Sequence, residues 1–577
     1  MGRKQDRHTS GRLDRETGAG GWRVAPAVES LFRTRIRSIF VSFGIKPMLP
    51  KSQSTHSMWL RNFVLILIVL GFFFRFYNID RKVYWYDETM TSLRVSGHVQ
   101  DELVTDLFDG RVMRVEELLS TYQAPNSQET LNDTMQALAE HPEHSPLYYL
   151  LARFWMQLFG GSVTSIRLLS VLVSLLVIPL AYWLCVELFE SPAVGWVTAA
   201  LVAISPFHVL YAQEAREYAL WTVTILLSSA TLLWAMRREK PLHWITYGVT
   251  AALGLYVHPF SGFVSVSHGI YVLVVEKFRL SKRLIGYVLS SALSIILFAP
   301  WLVVVVRRFD QFVGNTASVN ADRSGSMPLF WLLNLSRVFF DLNQGPSAIN
   351  PIHYALAGLA IASLIYLCQK APIRAWVFVI TLIGVTGLAL LGPDIILGGR
   401  RSSITRYAIP CYLGIEIAIA YLLTAKITAK PYNIRAKFRA RKRWRSVAIA
   451  LAVFGIVSCT ASSQIPVWWH KSHSKSRRNP DVAMVVNQAN QPLLVSDILP
   501  PGRILSLSHS LKPSVALQLG ERPGMIRVPD EFETVYLYLP SDRLKQRLER
   551  RQNFNIEPIE QEGEVWLWEA VRRPGSG

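Results

Sequence analysis

The stretch "WLRNFVLILIVLGFFFRFYNIDRKVYWYDET", residues 59–89, sets the frame for the whole chain. Its first part, 59–77, is an apolar run with arginines only towards its ends. As a helix rising about 1.5 Å per residue, a run of this kind crosses a hydrocarbon core of about 30 Å. A basic flank precedes it, as in a signal peptide. No small-residue cleavage site follows, and "FRFYNIDRKVYWYDE" comes instead. We therefore read 59–77 as an uncleaved first span, with Met48 and Met58 both open as the start of translation.

Runs of the same kind recur at 164–188, 193–211, 217–236, 243–257, 261–275, 284–305, 351–368, 373–392, 405–424 and 446–462. A further segment, 146–160, reads as a twelfth span or as a surface helix. The chain of 577 residues is 50% hydrophobic, with a mean hydropathy of +0.24. In lipid the backbone must satisfy its own polar groups, which leaves closed helices for these segments. The expectation is an all-α polytopic membrane protein of about 11–13 transmembrane helices. The four cysteines (Cys185, Cys368, Cys411, Cys459) all fall within spans, so no disulfide framework supports the exterior.

The net charge of +20 suggests nucleic acid until its distribution is read. Four short loops (237–242, 277–283, 369–374, 425–445) carry 18 Lys/Arg, including "RAKFRARKRWR", whereas the long loop 78–144 carries 5 against 13 Asp/Glu. Basic loops mark the cytoplasmic side, and alternation over eleven spans puts all four on one face. The basic segment 1–57, read as disordered, joins them there. Loop 78–144 and the tail 463–577 then lie outside, and nucleic acid is excluded as a partner.

Three regions follow: 1–57, a transmembrane core at 58–462, and an outer domain at 463–577. Within loop 78–144, "DELVTDLFDG" and "VEELLSTY" show helical spacing of acids and apolar residues, and predict amphipathic helices along the membrane surface. In the tail, "QPLLVSD", "RILSLSH", "ETVYLYLP" and "EVWLWEA" read as strands. "DVAMVVNQA" and "SDRLKQRLERRQ" read as helices, giving a small α/β domain. No Walker or dinucleotide-binding loop occurs, so ATP is not the expected direct energy source.

Polar residues at the membrane edge cost free energy and often mark function. Asp87 and Glu88 leave the first span within "VYWYDE". A carboxylate at a low-dielectric boundary is pushed towards the working range of a general base. Adjacent side chains diverge, so one acid acts as base and the other holds structure; we assign Asp87 to the first role. The alternative is a solvated loop behind an interfacial belt of Tyr84, Trp85 and Tyr86. "SPFHVLYAQEAREYALW" brings Gln213, Glu214, Arg216 and Glu217 to the same face, as site groups or as an ion-paired turn. "YVHPFSG" leaves His258 at the rim, and "HPEHSPLYY" leaves His144 where the chain returns to the membrane; either histidine can be structural. "GGRRSSITRYAIP" holds Arg400, Arg401 and Arg406 on a face where arginine runs against the charge rule. Bidentate capture of a phosphate explains them, as does contact with lipid headgroups.

In series these motifs resemble the C-type glycosyltransferases, in particular glycosyltransferase family 39 and its bacterial relatives. That branch includes protein O-mannosyltransferases and the aminoarabinose transferases of lipid A. The resemblance covers about 59–424 and rests on "WYDE", "HSPLYYLLARFWMQLFGG…SIRLLSVLVSLLVIPLAYWL", "SPFHVLYAQEAREYAL" and "TRYAIP". It implies transfer of a sugar from a polyprenyl-phosphate carrier to an outer-face acceptor, by a single inverting displacement. Asp87 would activate the acceptor beside its neighbouring acid Glu88. Glu214 and Arg216 would shape the site, and Arg406 with Tyr407 would face the donor phosphate. Relatives often read His-Pro-Pro where this chain has His144-Ser145-Pro146, and the tail lies outside the resemblance, so the acceptor stays open. No cofactor is expected, although Asp87 and Glu88 could bind a divalent ion. The resemblance also implies a bacterial plasma membrane. Competing readings are a transporter or flippase for a lipid-linked solute, a ligase or polymerase of surface polysaccharide, and a non-catalytic scaffold.

Overall fold

The computed structural model describes residues 55–320, 325–428, 434–471, 475–559 and 564–573. The expectation for the basic segment 1–57 falls outside these residues, except where 55–57 open a helix.

Each of the eleven expected spans is helical. Eight are long and apolar enough to cross a membrane: Met58–Phe76, Val163–Phe189, Tyr218–Arg238, Lys282–Arg307, Pro351–Lys370, Ile373–Ile396, Thr405–Thr428 and Arg439–Gln464. A ninth is a bent pair, Pro192–Ile204 and Pro206–Ala212, meeting at 61°. The helices Pro241–Val257 and Ser261–Val275 are shorter, at 17 and 15 residues. The segment proposed as a twelfth span is a 13-residue helix, Leu147–Phe159. A polytopic helical membrane fold is thus what the chain forms. Val288, Leu289, Ile295 and Ile296 stand exposed along Lys282–Arg307, the surface expected of a helix facing hydrocarbon.

The bend has a local cause. Pro206 has no N–H to give to the Val202 carbonyl, so the helical ladder stops there. Arg75 fills the gap from the end of the first helix, donating to the Ala203 carbonyl at 2.6 Å and the Val202 carbonyl at 3.3 Å. Gly71 lets the two helices approach, since a Cβ at that position would meet the Ala203 carbonyl. In hydrocarbon an orphaned carbonyl has no water to turn to, which is why an arginine is retained here.

The tail departs furthest from expectation. It is built on a six-stranded sheet in the order β1-β3-β2-β4-β6-β5. β2 (Leu493–Ser496) lies parallel to both β3 (Ala516–Gly520) and β4 (Val535–Tyr538). β6 (Leu567–Arg572) is antiparallel to β4 and to β5 (Phe554–Pro558). The edge strand β1 is Asp109–Arg114, from the first long loop, with Arg114 opposite Ala516. The three parallel strands are buried throughout, because helices cover both faces of the sheet.

Three expectations are corrected here. The segment 503–509, expected as a strand, is the helix Gly502–Ser508; its continuous apolar run does not separate the two states. The amphipathic helices Gln100–Leu107 and Val115–Tyr122 exist, but their apolar residues do not lie on a membrane surface. Leu103, Leu107 and Leu118 share one core with Leu494, Ile504, Leu517 and Leu519 of the tail. Residue 463 is therefore not a spatial boundary: loop 78–144 and the tail fold together.

Candidate active site

The acidic pair opens the helix Tyr86–Ser96. Trp85 is extended, its N–H reaches the Glu88 carboxylate at 3.4 Å, and Gly97 closes the helix at φ 101°. Acids in a first helical turn sit favourably on the positive end of the helix dipole. Successive positions on a helix differ by about 100° around the axis, so the two carboxylates part company at once.

Glu88 turns inward and is fully buried. Arg167 grips both of its oxygens, Nε to Oε1 and Nη2 to Oε2, each at 2.8 Å. Lys471 Nζ adds a bond at 2.8 Å and the Ala215 N–H another at 2.9 Å. Arg167 also donates to the carbonyls of Ile79, Lys82 and Val83. Burial alone would raise the Glu88 pKa; the two cations and the Arg167 hydrogen bonds outweigh it and hold the carboxyl down to about 2. With its lone pairs taken and no exposed surface, Glu88 clamps the first loop, the QEAR turn and the start of the tail together. It has no room to touch a substrate, and holds structure where Asp87 faces outward.

Asp87 turns outward. Its side chain is 22% exposed and its Oδ2 accepts from Arg406 Nη2 at 3.2 Å. The Arg406 guanidinium lies 5.3–5.9 Å from the ring centres of Tyr218, Trp85 and Tyr407. Aromatic faces attract a cation and exclude water, which strengthens the charge they surround. Arg406 Nε is buried with no hydrogen-bond partner among the described residues.

The remaining expected residues separate by role. Arg216 reaches the Asp87 carbonyl at 3.3 Å and Thr91 Oγ1 at 3.2 Å, and is neutralised by Glu217 at 3.0 Å. Glu214 accepts from the Trp85 indole at 3.1 Å, and its other oxygen faces His470 Nε2 at 3.6 Å. Burial pushes the Glu214 carboxyl up; Lys471 opposes this, and the Glu88 charge adds to it. Residues 213–217 form a turn, in which Arg216 and Glu217 are ion-paired. Gln213 instead donates to the carbonyls of Phe74, Arg75 and Tyr77, closing the end of the first helix. His258 is stacked on Trp221 at 4.1 Å, not free at the rim, and lies 6.3 Å from Tyr407. Burial, then Arg216 and Arg406, lower its pKa to about 3, so the ring is neutral. Burial and the surrounding Arg94, Arg216, His141 and His258 likewise push His144 well down.

The three arginines do not converge on one point. Arg401 is committed to Asp394 at 3.1 Å and to Asn320. Arg400 is exposed, and its charge acts on Lys475 together with that of Arg406. Arg406 is the one bonded to Asp87 through its Nη2 at 3.2 Å, whereas Arg401 is held by Asp394.

Several residues escaped the sequence reading. Lys471 and His470 follow the last span in "WWHKSHSK". Lys475 stands 3.8 Å from the Tyr86 ring centre. Burial lowers its ammonium, the Asp87 carboxylate works the other way, and Arg503, Arg406 and Arg400 reinforce the lowering. Glu143 bonds His141 at 3.3 Å and Asn315 at 3.1 Å within the same face. Lysines in a basic tail and an acid between histidines carry no periodic signal. Among the described residues, no three His, Cys, Asp or Glu side chains are placed to hold a metal ion.

Residues 141–304 match the family described as dolichyl-phosphate-mannose-protein mannosyltransferase. No curated protein matches the chain in sequence. Among solved structures it is similar to ArnT from Cupriavidus metallidurans. With undecaprenyl phosphate bound, ArnT gives a TM-score of 0.51 at 13% identity, over 89% of this chain and 99% of that one. Its apo state gives 0.50 at 14% identity, over 90% and 100%. At such identities the likeness is one of fold, and it runs the length of both chains.

Proposed function

We propose that this chain, a membrane glycosyltransferase with the C-type fold, moves a sugar from a polyprenyl-phosphate carrier to an acceptor on the face that bears Asp87. The observation that carries the reading is the Asp87–Arg406 pair, half-exposed within an aromatic frame where the first loop meets the helical core. Undecaprenyl phosphate bound by ArnT, the structural neighbour, supports the carrier class.

In this reading the unliganded pair is self-neutralised. A carrier phosphate competes for Arg406 and releases Asp87 to act as base. Asp87 then takes the proton of the acceptor, whose oxygen attacks the anomeric carbon as the bond to the carrier phosphate breaks. The electron pair leaves with the phosphate, now a monoester, and Arg406 receives the developing charge. Arg216, already balanced by Glu217, holds the Asp87 backbone rather than the phosphate. Glu88 offers no ligand to a divalent ion, because Arg167, Lys471 and the Ala215 N–H occupy its oxygens. Arginine therefore takes the place of a metal, and chelators should leave turnover unchanged.

The basic loops 237–242, 277–283 and 369–374 lie at the opposite helix ends from Asp87. We place that side in the cytoplasm of a bacterial plasma membrane, with Asp87 and the tail outside.

The test uses purified protein in liposomes with a panel of polyprenyl-phosphate sugars and envelope extract as acceptor. Mass spectrometry follows loss of sugar from each carrier. Asp87→Asn should reduce consumption of one donor by about 10²–10⁴-fold, the usual contribution of a general base. Arg406→Ala should raise the donor concentration needed for half-maximal rate. Full turnover by Asp87→Asn would remove it from the mechanism.

A further inference from the structure

Glu214 and His470 take no part in the transfer itself, yet both are buried beside residues that do. Glu214 lies in the turn 213–217 with no exposed surface, and His470 stands just beyond the last span, 6% exposed. Glu214 Oε1 accepts from the Trp85 indole at 3.1 Å. Its Oε2 has no hydrogen-bond partner among the described residues, and neither has either ring nitrogen of His470. These unmet atoms face each other, Oε2 to Nε2, at 3.6 Å. Buried polar groups in folded proteins are paired as a rule. The separation is just past hydrogen-bond length, so a slight turn of the imidazole lets Nε2–H donate to the carboxylate.

Trp85 connects this unit to the site. Its ring centre lies 5.8 Å from the Arg406 guanidinium and 5.7 Å from the Lys471 ammonium. It also stands at the N-cap of the helix Tyr86–Ser96, two residues before Asp87. Trp85 is therefore the common neighbour of both members of the Asp87–Arg406 pair: Arg406 through its ring, Asp87 through the helix it opens. Without an acceptor for its N–H the indole is free to turn, and a cation held by aromatic faces shifts with it. His470 and Lys471 are consecutive, and each meets one of the two buried acids, Glu214 and Glu88. The Ala215 N–H ties the same turn to Glu88 at 2.9 Å. The backbone on either side of the pair is thus anchored, and gives the His470 ring a firm base from which to hold Glu214.

We propose that His470 and Glu214 are positioning residues for the transfer. His470 orients the Glu214 carboxylate, Glu214 fixes the Trp85 indole, and Trp85 sets Arg406 against Asp87 in the place where the carrier phosphate meets it. The inference rests on the transferase reading and deepens it, because it brings a residue from beyond the last span into the alignment of the donor site.

Binding of polyprenyl phosphate to the full chain in nanodiscs reads the position of Arg406 without turnover. His470→Ala and Trp85→Phe should each weaken that binding about tenfold, as a charge-assisted contact held out of line would. The double variant H470A/W85F should bind no worse than the weaker single variant, because both break one chain of contacts. In an Arg406→Ala background, His470→Ala should weaken binding no further. Glu214→Gln keeps an acceptor for the indole and offers an N–H to the imidazole, so it should bind near wild type, whereas Glu214→Leu should not. A merely structural pair would lower the thermal midpoint of these variants and leave the affinity of the folded protein unchanged. That result overturns the proposal, as does additive weakening in the double variant or a further loss in the Arg406→Ala background. Wild type that does not bind polyprenyl phosphate overturns the transferase reading and this role with it. Wild type that binds, with His470→Ala binding equally well, overturns the positioning role alone.

Discussion

At the scale of the residue, Asp87 and Glu88 show how adjacency in sequence becomes opposition in space. One faces Arg406, and the other joins Arg167 and Lys471 in a buried trio. Removing one member of such a buried set leaves its partners charged in a dry place, at a cost of about 3–5 kcal/mol. Glu88→Gln should therefore destabilise the fold by that order, visible as a lower thermal midpoint in detergent. Linkage gives the pH dependence. The folded Glu88 pKa, about 2, lies below the ordinary carboxylate value. Its stabilisation is then fully present above about pH 5 and is lost as pH falls towards about 2. Wild type should lose stability across that window and Glu88→Gln should lose less of it; parallel curves would show that Glu88 is not the titrating group. The divergence of the two acids was legible in the sequence, because neighbouring side chains cannot share one direction. The partners were not: Arg167 is 79 positions from Glu88 and Lys471 is 383. No local pattern links residues so far apart.

At the scale of the element, hydropathy located the spans because lipid imposes a length on each apolar run. What it could not supply was shape. The segment 193–211 reads as one apolar run, and Pro206 is the sole local sign that it bends. The bend survives because Arg75 takes the carbonyls that Pro206 orphans. Arg75→Leu should leave the Val202 and Ala203 carbonyls without those donors in a dry environment, costing about 1–3 kcal/mol for each group left unsatisfied. The measurable result is a lower midpoint in a detergent unfolding series. An unchanged midpoint would mean that water reaches the bend. The surface helices of the first loop teach the same lesson from the other side. Periodicity at 100–107 and 115–122 correctly announced an apolar face, but periodicity is silent on whether lipid or protein covers it.

At the scale of the whole molecule, the tail and the first loop are one folding unit assembled from segments nearly four hundred residues apart. "DGRVMR" is too polar and too short to read as a strand, yet it forms the edge β1 because β3 offers it a ladder and the loop helices on either side are anchored. Leu103, Leu107 and Leu118 complete the core over Leu494, Leu505 and Leu517. Each fully buried leucine of this kind contributes about 1.5–3 kcal/mol, so the three together contribute about 5–9 kcal/mol, comparable with a small domain's whole stability of about 5–15 kcal/mol. The tail 475–577 expressed alone should accordingly aggregate or lack cooperative unfolding. The same tail joined to 99–122 by a flexible linker should run as a monodisperse species with a single transition. Size-exclusion chromatography and circular dichroism decide between them, and a well-folded tail without the loop would show that β1 and its flanking helices are decoration. If the prediction holds, the order of assembly is constrained as well. The loop is complete long before the tail is synthesised, so Met90 and Leu93 on the Asp87 helix wait uncovered until the chain returns. The active site can then close only once the tail has docked.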